Sequence, residues 1–161
     1  MEALLVWLQG SPLGELMRGM GVWAYGIVNL LHILSVATLF GSVLVLDLKL
    51  LGAWRRAPLA ALEQPTIPLA VVGFCCAALS GACLITTNAT DYRGNPFLLI
   101  KFAAIALGLL NVAMVSLLPA WRARHAEPLA PSQRRTLAVA GGTSLACWVT
   151  AAAAGRMIGY W

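Results

Sequence analysis

Apolar residues run along this chain in long blocks, and the formal charges fall between them. Between Arg18 and Asp47 no residue is charged, a stretch longer than the ~20 residues a bilayer-spanning helix needs. A second uncharged run lies between Glu63 and Asp91, with Pro65 and Pro68 near its start. A third begins after Asn95-Pro96, holds the single charge Lys101, and ends near Leu118, where Pro119 follows. The fourth lies between Arg135 and the C-terminus, carries Arg156 near its end, and stops at Tyr160-Trp161, an aromatic interface anchor. The pattern predicts an all-α integral membrane protein, a four-helix bundle in one domain over residues 1–161. Its spans are expected near residues 22–46, 66–88, 97–118 and 136–158.

The first nineteen residues, MEALLVWLQGSPLGELMRG, read as two short helical pieces broken at Gly10-Ser11-Pro12. Ser11 suits an N-cap and Pro12 the first helical position. A secretory signal opens with a basic region, whereas this segment opens with Glu2. The expectation is an interfacial segment over residues 1–19, anchored by Trp7 and Trp23.

Polar positions inside the apolar blocks fall on helical faces. In the first span Tyr25, Asn29, His32 and Ser35 follow at spacings of four, three and three, which places them on one face. Such a stripe is expected to turn inward, because lipid offers it no hydrogen-bond partner. In the second span Gly73, Cys76, Ser80, Cys83 and Thr87 share a face of small and polar residues that permits close helix contact. Lys101 shares a face with Ala104, Gly108 and Asn111, and the fourth span is rich in small residues, Gly141, Gly142 and Ala151 to Gly155.

Composition agrees with the pattern. The 161 residues are 60% hydrophobic and 11% charged, with a mean hydropathy of +0.82, against about 25% charged in soluble domains. The net charge of +5 is no nucleic-acid signal. It comes mostly from Lys49, Arg55 and Arg56 in one loop and Arg122, Arg124, Arg134 and Arg135 in another. By the positive-inside rule both loops face the cytoplasm of a bacterial inner membrane, with both termini periplasmic. Arg18 and Arg93, on the other side, read as solvated topology determinants. Cys75, Cys76, Cys83 and Cys147 all lie in apolar segments without CxxC or CxxCH spacing, so neither zinc nor c-type haem attachment is indicated. No nucleophile–base pair, phosphate loop or paired carboxylates appear, which argues against catalysis on a soluble substrate by this chain alone.

The same orientation brings three basic side chains toward one end. Lys101 and Arg156 lie ~6 Å into their spans and His32 ~14 Å, at the helical rise. Cations at the helix centre cost at least ~2.5 kcal/mol on insertion scales, so two on separate helices suggest an anionic partner.

LHILSVATLFGSVLVLDLKLLG, NPFLLIKFAAIALGLLNVAM and AAAAGRMIGYW resemble a bacterial family of small four-helix membrane proteins of unknown function. Its members typically show a first-helix histidine, a D-L-R-L-L-G exit, an N-P-x-F-x-x-K entry to the third helix and a terminal G-R-x-I-x-Y. More distantly the chain is similar to the copper resistance protein D family and to the haem-dependent HemJ-type protoporphyrinogen oxidases. They share a first-helix histidine and a lysine opening helix three, here His32 and Lys101. Family members often carry a further histidine after the asparagine that matches Asn111, where this chain has Met114-Val115-Ser116-Leu117.

Two classes of function stay open. In the first the protein is a b-type haem-binding redox subunit of a membrane complex. His32 is then the iron ligand, Lys101 and Arg156 pair with the propionates, and Asn29 and Tyr25 lie beside the cofactor. The sixth position is then empty, filled by Met157 or Met114, or filled from another subunit. In the second it is a non-enzymatic accessory protein, or a copper-handling module with Cys76, Cys83 and methionine as soft ligands. His32 is then an interhelical hydrogen-bonding group, and Lys101 and Arg156 snorkel to the interface. His125 lies in the cytoplasmic loop, most of a bilayer away from His32. The bilayer is the one partner expected in either case.

Overall fold

The structure, a computed structural model, describes residues 2–54, 56–124 and 129–161, and every regular element among them is helical. Two short helices open the chain, α1 (Glu2–Gln9) and α2 (Pro12–Gly19). As the sequence indicates, the Ser11 hydroxyl caps α2 by accepting from the Gly14 N–H at 3.2 Å, and Pro12 sits where no donor is needed. Then follow α3 (Gly21–Leu50), α4 (Leu59–Thr87), α5 (Pro96–Leu117), the single turn α6 (Pro119–Arg122) and α7 (Pro131–Met157). A 3-10 turn, Ala89–Tyr92, joins α4 to α5. At the start of α5 the Asn95 side chain accepts from the Phe97 N–H at 2.9 Å, ahead of Pro96.

Four of these helices, α3, α4, α5 and α7, are long and apolar enough to cross a membrane. Their outward surface leaves Val22, Leu79, Leu107, Leu117 and Val139 bare, as a lipid-facing wall requires. The helices overrun the expected spans. α3 continues to Leu50, α7 starts at Pro131, and α4 starts at Leu59 with both Pro65 and Pro68 inside it. Each proline removes one backbone donor, yet the helix continues, because in lipid the rest of the backbone has no better partner than its own turns.

Packing order differs from chain order. α3 lies against both α4 and α7, and α5 lies against α7, whereas α4 and α5, neighbours in sequence, are not a closely packed pair. Both contacts of α3 are made at glycines. A Cβ on Gly73 would fall 2.7 Å from the Leu39 nitrogen and 3.0 Å from the Ser35 oxygen, and one on Gly141 would fall 3.1 Å from the Asp47 oxygen. These small residues let backbone meet backbone. Between α4, α5 and α7, Trp148 packs edge-on to Phe74 with centroids 6.2 Å apart, and its ring lies beside Gly108.

The N-terminal helices do more than rest on an interface. They fold over the end of α4 and the 3-10 turn, burying Leu5, Gly14 and Met17, while Trp7 and Trp23 stay exposed. This end, which also holds the C-terminus, is called the terminal end below. The opposite one is the loop end.

Candidate functional site

His32 sits in the fourth turn of α3, half-buried against α4. Its Nδ1 is 3.0 Å from the Ser80 hydroxyl, and that hydroxyl donates to the Cys76 carbonyl at 2.6 Å. A hydroxyl has one proton, so with it directed at Cys76 the oxygen accepts from the ring. With the hydroxyl proton so placed, Nδ1 carries the ring hydrogen and Nε2 keeps its lone pair; the other tautomer reverses both roles. The ring edge lies over Gly81, where a Cβ would come within 3.1 Å of Cε1. The polar stripe of α3 divides at this point. His32 and Ser35 are half-buried toward α4, whereas Asn29 is exposed and Tyr25 is 37% exposed, so the stripe does not turn inward along its whole length.

Lys101, in the second turn of α5, lies half-buried against α7, with its Cε and Nζ each 3.6 Å from a Cβ placed on Gly155. It has no hydrogen-bond or ion-pair partner among the described residues, and its charge acts on the His32 ring. Arg156 goes elsewhere. It is exposed, donates to the Tyr160 hydroxyl and covers that ring at 4.5 Å from the centroid. The two sulfurs considered as axial ligands, Met114 and Met157, are 52% and 42% exposed.

Two residues not singled out for the site belong beside it. Ser80 was legible only as one member of a small polar face; its role depends on the register between α3 and α4. Tyr92, in the 3-10 turn, is half-buried near Tyr25 and Asp91. Burial pushes its phenol above the ordinary tyrosine range, and Tyr25 and Asp91 add to the shift.

The terminal end is closed by side chains reaching across long sequence separations. The Arg18 guanidinium donates to the carbonyls of Thr86 and Thr87 at 3.4 and 3.0 Å and of Gln9 at 2.8 Å. It thus satisfies carbonyls that the C-terminus of α4 leaves open. Gln9 Oε1 accepts from the Thr90 N–H and hydroxyl at 2.8 and 2.7 Å, and Arg93 pairs with Glu2 at 2.8 Å. Arg18 and Arg93 are therefore engaged, rather than simply solvated as the sequence reading has them.

Among the described residues no three His, Cys, Asp or Glu side chains converge as a metal cluster, and Cys76 is exposed. Arg55, His125 and Glu127 lie outside the described residues. An open apolar groove of about 350 Å³ runs between α5 and α7, lined by Ile100, Ala104, Leu107, Cys147 and Thr150. It does not include His32.

Residues 4–161 match a family described as a family of unknown function (DUF6644). No curated protein and no solved structure matches the chain.

Proposed function

The chain belongs to the DUF6644 family, whose function is unknown, and we propose that it is a membrane-embedded b-type haem-binding redox subunit. The observation that carries this reading is the pairing of a free imidazole lone pair with an uncompensated cation. Ser80 holds Nδ1–H and leaves Nε2 of His32 as an iron ligand, and a hydrogen bond at the far nitrogen orients such a ligand and raises its basicity. Lys101, nearer the terminal end and without a counter-charge, would hold a propionate by a charge-assisted hydrogen bond.

Haem, when bound, supplies one-electron transfer. The chain's own residues supply the axial nitrogen, the anchoring charge and a water-poor surround. Asn29, exposed on an otherwise apolar wall, and Tyr25 form the polar edge of the site. Arg156 stands at the rim and would reach the second propionate only by leaving Tyr160. In this reading the four spanning helices form a bundle in a bacterial inner membrane. The basic loops are cytoplasmic, both termini lie outside, and electrons pass to another subunit.

The test is a reduced-minus-oxidised visible spectrum of protein purified from cells with ample haem. We expect a Soret band that is lost in His32→Ala while the protein remains inserted and monodisperse. A wild-type protein with no such band would leave the His32–Ser80 contact as an interhelical hydrogen bond and nothing more.

A further inference from the structure

Two carboxyl groups sit inside the spanning helices near the loop end, and they are treated differently. Glu63 of α4 is held by Arg124, at 2.7 and 3.4 Å. Asp47 of α3 has no cationic partner among the described residues. It is 4% exposed where α3 passes Gly141 of α7, and the Ser144 hydroxyl meets its carboxyl. Its Oδ2 is buried and takes no hydrogen bond. Lys49, two residues on, turns away to the carbonyls of Trp54 and Ala57, at 3.0 and 2.6 Å. The residues that α7 presents here, Gly141 and Ser144, are uncharged, and the acid of α4 is already paired.

Among the described residues an ionised carboxylate in this position meets one hydroxyl donor and no counter-ion, in surroundings that solvate charge poorly. The neutral acid leaves a single polar atom short of a partner, a far smaller penalty. We propose that Asp47 and Ser144 form a proton-binding site at the loop end of the α3–α7 contact. Ser144 donates to one carboxyl oxygen, and the bound proton sits on Oδ2. Binding turns a carboxylate and one proton into a carboxylic acid, and release returns that proton to water. Asp47 is three residues from the end of α3 at Leu50, so the path to the loop is about one turn, ~5 Å. Nothing in this site depends on a bound cofactor.

Infrared spectroscopy of the whole protein in lipid nanodiscs, near neutral pH, tests it without reference to haem. The expected result is a carboxylic acid C=O band that shifts in D₂O and disappears in Asp47→Asn. Absence of the band in the wild type, or its survival in Asp47→Asn, overturns the proposal. The same spectra taken with sodium replaced by choline should be unchanged. A carboxylate whose bands and thermal stability depend on sodium would assign the site to a metal cation instead. Should Asp47→Asn fail to fold, Ser144→Ala gives the second reading. Loss of its hydroxyl should move the acid band to higher frequency, and an unmoved band refutes the pairing.

Discussion

Among the described residues, the interior side chain without a counter-charge is Lys101 at the terminal end and Asp47 at the loop end. The two signs are opposite, yet they do not cancel. His32 and Asp47 stand fifteen residues apart on α3, roughly 22 Å along its axis, and Lys101 acts at the His32 level. Each end must therefore settle its charge locally. Glu63 with Arg124, and Arg18 with the carbonyls of α4, show how the fold does so when a partner is at hand. Among the described residues Lys101 and Asp47 have none, and a membrane interior makes such an arrangement costly enough to call for a ligand. The cation calls for an anion and the acid for a proton.

The surrounding packing differs too. α3 meets Gly73 and Gly141 backbone to backbone, but His32 reaches α4 through a side-chain hydrogen bond. The sharpest way to break this scaffold is Gly73→Leu. Its Cβ would stand 2.7 Å from a backbone nitrogen that cannot step aside, and overpacking of this kind costs about 3 kcal/mol. Unfolding in mixed micelles should show that loss, whereas Gly26→Ala, with nothing within 4 Å, should leave stability nearly unchanged. Equal effects at the two positions would mean that the α3–α4 contact is looser than described.

Ser80→Ala comes next. It removes the hydroxyl that accepts from Nδ1–H, and loss of such a supporting partner typically lowers metal affinity 10- to 100-fold. Haem retention on dilution is the measurement, and a wild-type value would refute the assigned tautomer. Lys101→Met should weaken retention about tenfold, the loss of one charged hydrogen bond worth roughly 1.5 kcal/mol. Arg93→Met breaks only an exposed pair with Glu2 and should change nothing. If the two variants behave alike, Lys101 is not a ligand contact.

The spans were legible because length and uncharged composition suffice to specify a membrane helix. The start of α4 was not, because Pro65 read as its boundary while the helix begins at Leu59 and runs through both Pro65 and Pro68. His32 stood out as the one imidazole in an apolar run. Its tautomer did not, since that depends on which α4 residue lies opposite, and Ser80 is 48 positions away. Asn29 shares the His32 face in sequence but ends exposed, because α4 covers only part of that face. Arg18 looked like a topology charge for a related reason: two of its three carbonyl partners, Thr86 and Thr87, are nearly seventy residues downstream. Asp47 was visible as part of a helix exit, and its isolation appeared only once α7 was seen against it.

The smallest expected effect sharpens the contrast at the terminal end. Tyr92 is half-buried beside Tyr25 and Asp91, and burial first, then those two neighbours, raises its phenol above the unfolded value of about 10. A raised folded value means that folding favours the protonated form. The contribution is fully present below the unfolded value and is lost as pH rises through the folded one. Stability should therefore fall at alkaline pH more steeply in the wild type than in Tyr92→Phe, which keeps the ring and has no proton to lose. Thermal unfolding of both proteins between neutral and strongly alkaline pH measures the difference directly. The two curves should run parallel until Tyr92 begins to ionise and converge or cross above that point. Parallel curves throughout would show that the phenol is as free as an exposed one, and that the turn between α4 and α5 does not close this end.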